Sequence, residues 1–101
     1  MTTSRQKAAG SAAERRVAGM LKGRRVGMDG GPVDVIVDDY LTLQVKTLKS
    51  LPSLREISDM IDKMPIGFIL RGVVVIGREG RGRRGVRTIT FDLDEWAAWH
   101  V

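Results

Sequence analysis

The chain has no cysteine, and its single histidine, His100, lies one residue from the C-terminus. Disulfides and thiolate zinc sites are thereby excluded, and the redox state of the compartment stays unmarked. No apolar run approaches the ~20 residues of a membrane span. The N-terminal "MTTSRQKAAGSAAERR" also lacks the apolar stretch of a secretory signal, so a cytosolic chain is the simplest inference. Internal repeats are missing, as is any linker long enough to divide the chain. With 101 residues, 43% of them hydrophobic, one compact domain over 1–101 is expected, burying about 60 to 65% of its unfolded surface. Negative charge is also in short supply. Against 17 Lys and Arg stand 12 Asp and Glu, a formal charge of +5 that favours a polyanionic partner such as nucleic acid.

What is present reads as alternating helices and strands. A basic flexible arm over 1–10 precedes a helix over about 12–22, with Ser11 as N-cap and Glu14 completing a capping box in "SAAE". Val17, Ala18 and Leu21 share the face of Glu14, an awkward place for a charge. A short strand is expected over about 24–28, before "DGGP" breaks the chain. In "LPSLREISDMIDKMP", Leu54, Ile57, Ile61 and Met64 fall on one helical face, capped by Ser53 and Glu56. "GFILRGVVVIG" suits a strand buried on both faces, "VRTITFDL" alternates as a further strand, and "DLDEWAAWH" closes as a short helix with Asp92 and Glu95 as its capping pair.

The loop "GREGRGRRG" contains the GxGxxG pattern, but a strand-like segment follows where a dinucleotide site needs a helix. Arg81, Arg83 and Arg84 instead make a cationic tip suited to phosphate, or simply a solvated loop that deters edge pairing. Arg5 and Lys7 of the N-terminal arm offer similar contacts.

The segment "PVDVIVDDYLTLQVKT" carries polar residues where a hairpin should bury apolar ones. With a turn at Asp38, Asp39 and Tyr40, Val37 pairs with Leu41, Val35 with Leu43 and Val33 with Val45, an apolar face throughout. Asp34 then falls opposite Gln44, on the same side as Lys46. Cβ atoms of such opposed residues lie about 4.5 to 5.5 Å apart, so Asp34 and Gln44 can address one cation through their oxygens. Hard oxygen ligands with a nearby lysine suit Mg²⁺-assisted phosphodiester hydrolysis; a cross-strand ion pair between Asp34 and Lys46 is the plainer alternative.

Together "GSAAERRV", "GGPVDVIV" and "LTLQVKT", in that order over the first half of the chain, resemble the PD-(D/E)xK nuclease superfamily, and within it the archaeal-type Holliday-junction resolvases. The resemblance implies an α/β restriction-endonuclease-like αβββαβ core with a mixed sheet, here extended by a strand and a short helix. It implies Glu14 and Asp34 as metal ligands, the Val45 main-chain carbonyl as a further ligand, and Lys46 as the residue that positions water. It also implies Mg²⁺ as cofactor, with Mn²⁺ able to substitute, and a homodimer cutting branched DNA such as a four-way junction. Gln44 stands where the family has an acid, similar to a variant in some restriction-type members, and removes one negative charge from the site. Nucleases acting on linear duplex, or a degenerate nuclease fold that only binds DNA, are the alternative outcomes. Trp96 and Trp99, three apart on the last helix, suit either a subunit contact or a cover for the core.

Overall fold

In the computed structural model, residues 4–26, 31–66, 70–77 and 85–101 are described, with side chains from Ala12 onward. The chain runs α1 (Ser4–Leu21), β1 (Arg24–Arg25), β2 (Val35–Val37), β3 (Leu41–Leu48), α2 (Leu54–Asp62), β4 (Leu70–Gly77), β5 (Arg87–Phe91) and α3 (Leu93–His100). The described strands form one five-stranded mixed sheet in the order β1-β2-β3-β4-β5. Only β3 and β4 among these neighbours run parallel, because α2 carries the chain back between them. This is an α/β fold, and its element order is the one expected from the sequence.

Period-2 alternation explains how both faces of the sheet are covered. On one face, Val35, Val37, Leu43, Val45, Val74 and Ile76 pack under Ala13, Val17 and Ala18 of α1. On the other, Val73 and Val75 pack under Ile57 and Ile61 of α2. Successive residues of β4 thus serve opposite cores, which is why that strand is apolar nearly throughout. Full burial of a side chain such as Leu43 or Val35, each 0% exposed, stabilises the fold by roughly 1.5 to 3 kcal/mol. Gly72 of β4 leaves space for a neighbour: a Cβ there would stand 2.6 Å from Phe91 Cε1 and 2.9 Å from Leu43 Cδ2.

The helix ends obey local rules, with three departures from expectation. Ser53 and Glu56 form the capping box of α2 as expected. α1, however, begins at Ser4, so residues 4–10 of the expected flexible arm are helical and Ser11 lies inside the helix rather than at its N-cap. The run "RQKAAGSAAERR" is rich in good helix formers, and Gly10 and Ser11 do not suffice to stop it. Asp92 caps α3 by accepting the Glu95 N–H at 3.0 Å. Glu95 does not return the bond; its carboxylate goes to Arg71 at 2.8 Å. Leu54 is 84% exposed although it shares the helical spacing of buried Ile57, Ile61 and Met64, because the first turn of α2 borders an open groove beside β5 and α3. Of the strand expected over 24–28, Arg24–Arg25 form β1, and positions 27 and 28 lie outside the described residues. Among the described residues, no helix is long and apolar enough to cross a membrane.

Candidate functional site

The β2–β3 hairpin keeps the expected register only as far as Val35. Val37 pairs with Leu41 and Val35 with Leu43. Beyond that, the expected pairs Asp34 with Gln44 and Val33 with Val45 are absent from the ladder, which is a correction to the sequence reading. The Asp34 N–H donates to the Leu43 carbonyl at 2.8 Å, while the Asp34 carbonyl accepts from Val26 at 2.8 Å. Its N–H and C=O therefore point to opposite neighbours, and the strand kinks. Pro32 just upstream fixes its own backbone and has no N–H to continue the ladder.

The kink turns the Asp34 side chain toward the edge of β3. Its Oδ2 accepts the Val45 N–H at 2.8 Å, the place a Val33 carbonyl would take in an unbroken ladder. A strand residue sends its N–H and C=O to the same side, so the Val45 carbonyl also leaves β3 on this edge. Gln44 and Lys46, one residue to either side, point to the α2 face, level with Val73 and Val75 of β4. Asp34 thus lies at the boundary between the two faces rather than squarely opposite Gln44.

Glu14 reaches Asp34 from the other side. It is held on α1 between Ala13 and Val17, both buried against the sheet. Burial pushes the Asp34 carboxyl above its ordinary range, and the Val45 N–H opposes that shift. The neighbouring Glu14 carboxyl raises it further, while Lys46 pulls it down. Glu14 of α1 and Lys46 of β3 thus both lie within electrostatic reach of Asp34, which precedes β2.

Gln44 contributes differently. Its Oε1 is buried and has no hydrogen-bond partner, a condition a buried amide oxygen seldom tolerates. The Thr47 and Thr88 hydroxyls share that condition, but only Gln44 adjoins the strand position that Asp34 holds. Among the described residues no group of three or more His, Cys, Asp and Glu gathers. Asp34, Glu14, the Gln44 amide and the Val45 carbonyl are all oxygen donors, the type that a hard divalent cation takes.

One member of the site was not anticipated from the sequence. Arg25 of β1 donates to Glu14 Oε2 from Nη2 at 3.0 Å and from Nε at 3.3 Å. Its register opposite Val35 sets it one residue from Asp34, so correct pairing of the short strand would have revealed it. Arg81, Arg83 and Arg84, the arginine tip expected to meet phosphate, lie outside the described residues, as do the side chains of Arg5 and Lys7. Exposed Arg15, Arg16, Lys22 and Arg24 leave the α1–β1 side of the molecule basic. No family model, curated protein or solved structure matches this chain.

Proposed function

We propose that the chain is a metal-dependent endodeoxyribonuclease of the PD-(D/E)xK type, acting as a homodimer on branched DNA such as a four-way junction. The observation that carries this reading is the approach of Glu14 from α1 and Lys46 from β3 to Asp34, just before β2, with Asp34 under the influence of both others. The unpartnered Gln44 oxygen supports it. Glu14, Asp34, Gln44 Oε1 and the Val45 carbonyl would hold Mg²⁺, or Mn²⁺ in its place, which supplies positive charge against the phosphate oxygens. Lys46, half-buried on the strand that carries Gln44, donates hydrogen bonds that orient the attacking water. The Asp34–Val45 bond fixes the carboxylate against rotation. Exposed Arg15, Arg16 and Arg24 hold the DNA backbone near this edge.

Homodimer formation is supported by the aromatic surface of α3. Trp96 packs on Phe91 at 4.9 Å and Trp99 on Tyr40 at 5.6 Å, yet the two tryptophans remain 39% and 41% exposed. They cover the edge of the core and still present apolar area outward.

The test is to incubate the protein with a labelled four-way junction and with matched linear duplex, in Mg²⁺, in Mn²⁺ and in chelator. Metal-dependent cutting of the junction is the expected result. Equal cutting of the duplex would make it a nuclease of restriction or repair type. Junction binding without cleavage in either metal would favour a DNA-binding module that has lost catalysis, a reading that Gln44 at the family's acidic position keeps specific.

A further inference from the structure

We infer that Arg25 is a built-in counter-cation which competes with the metal for Glu14 and so sets how much metal the site requires. The inference rests on the metal-site reading above and concerns the regulation of that same site. Arg25 binds one carboxylate oxygen through two donors, Nη2 at 3.0 Å and Nε at 3.3 Å, with side-chain exposures of 38% for Arg25 and 22% for Glu14. The pair is therefore partly screened from water and keeps more of its attraction than a surface pair.

The charge balance gives this contact its consequence. Asp34 and Glu14 carry two formal negative charges, and Lys46 and Arg25 carry two positive ones. An approaching divalent cation meets carboxylates whose charge Arg25 and Lys46 already partly offset, because Gln44 supplies oxygen without charge where an acid would leave more negative charge. Affinity of hard-oxygen sites for divalent ions depends on the charge of the ligands. A guanidinium cannot be neutralised by losing a proton in the accessible pH range, so it must be displaced rather than titrated. The geometry allows displacement. Glu14 is fixed on a helix anchored by Ala13, Val17 and Ala18, whereas Arg25 sits on an edge strand joined to the sheet by two register pairs.

Direct Mn²⁺ binding to the full chain, read from the spectrum of unbound Mn²⁺, tests this without reference to cleavage. Arg25→Gln should bind Mn²⁺ about twofold to fivefold more tightly than the parent, the range expected for loss of one partly exposed ion pair. Arg25→Lys, which keeps the charge, should stay near the parent. Asp34→Asn should lose the site. If Asp34→Asn abolishes binding while parent and Arg25→Gln bind equally, the counter-cation role is overturned and the metal site stands. If neither parent nor Arg25→Gln binds Mn²⁺, the metal site fails and the competition fails with it. The parent protein gives an independent reading should Arg25→Gln not fold. The Arg25 Nε–H resonance should move during Mg²⁺ titration with the same midpoint as metal binding, and a resonance that stays in place through saturation overturns the inference.

Discussion

Asp34 and Val45 are joined by a 2.8 Å hydrogen bond in which a side-chain carboxylate substitutes for the main-chain acceptor of a β-ladder. Burial, with Glu14 nearby, disfavours the ionised form of Asp34 although the Val45 N–H favours it. Asp34→Asn should therefore abolish metal-dependent cleavage while preserving the fold, since the amide oxygen can still accept from Val45. Lys46→Ala and Glu14→Gln should also suppress turnover without weakening DNA binding. Cleavage at parental rate in folded Asp34→Asn and Lys46→Ala would sink the site assignment.

The same relationship predicts a stability change of unusual sign. A carboxyl whose folded pKa is raised contributes stability that is fully present below its unfolded value, near 3.9 for Asp, and lost as pH rises through the folded value. At neutral pH the charged Asp34 is thus a liability to the fold. Asp34→Asn should melt above the parent at pH 7, and the gap should close as the solution is acidified below about 3.9. Thermal unfolding across that range measures it; a variant less stable than the parent at pH 7 would show that Asp34 is held chiefly for structure.

Arg71 and Glu95 lock α3 to the end of α2. Arg71 Nη2 and Nε bond Glu95, its Nη1 bonds the Ile61 and Met64 carbonyls at 3.0 Å each, and its main-chain N–H also goes to Glu95 at 2.8 Å. The pair is mostly buried, with side chains 11% and 20% exposed, so removing one partner strands the other. Arg71→Met should cost about 3 kcal/mol, and Arg71→Met with Glu95→Leu should recover part of it. The Arg71 hydrogen bond, opposed by burial, holds the Glu95 carboxyl below its usual range. Its contribution is therefore full above the unfolded pKa of about 4.3 and lost as pH falls through the folded value. Urea unfolding of the parent and Glu95→Gln should show a difference that is constant near neutrality and shrinks below about pH 4.3.

Local patterns carried far into this fold, and long-range pairings did not. Ser53 with Glu56, and Asp92 at the head of α3, were legible because caps are read within four residues. The alternation of Val35, Val37, Leu41 and Leu43 fixed the hairpin register for a similar reason. Asp92 and Glu95 do pair through the Glu95 N–H, but the Glu95 carboxylate goes to Arg71, 24 residues away, which no local pattern marks. Arg25 was overlooked because nothing in "RRV" marks which arginine meets Glu14 once β1 joins the edge of the sheet. The kink at Asp34 was hidden in plain alternation, although Pro32 carried a hint of it. Gln44 and Lys46 could be placed on one face from spacing alone; that Asp34 turns to the sheet edge could not.

Backbone strain at the end of α1 offers a test independent of the site. Lys22 adopts φ 56°, and the following Gly23 N–H bonds the Ala18 carbonyl at 2.8 Å while Lys22 N–H bonds Gly19 at 3.4 Å. This is a Schellman ending whose left-handed position holds lysine where glycine is favoured. Lys22→Gly should stabilise the protein by about 0.5 to 1 kcal/mol in urea unfolding. Gly72→Ala should do the opposite by about 1 to 3 kcal/mol, since its methyl would meet Phe91 and Leu43 at less than contact distance.

The role of Gln44 can be decided by changing its charge and then removing its oxygen. Its Oε1 is buried without a partner on the strand between the Leu43 and Val45 contacts of Asp34. If that oxygen completes a cation's shell, Gln44→Glu adds a negative charge to a donor set that has only Asp34 and Glu14 as acids, and the requirement for Mg²⁺ should fall. Without metal the added carboxylate would crowd its neighbours and raise their pKa values, so Gln44→Glu should be less stable than the parent in chelator and regain stability with Mg²⁺. Gln44→Ala removes the oxygen and should need more Mg²⁺ than the parent. Metal titrations of cleavage by the three folded proteins, paired with melting curves in chelator and in Mg²⁺, give the order Glu, Gln, Ala in metal requirement if the amide is a ligand. Superimposable titrations would remove Gln44 from the metal shell, leaving its buried oxygen without a chemical role and the site resting on Glu14, Asp34 and Lys46.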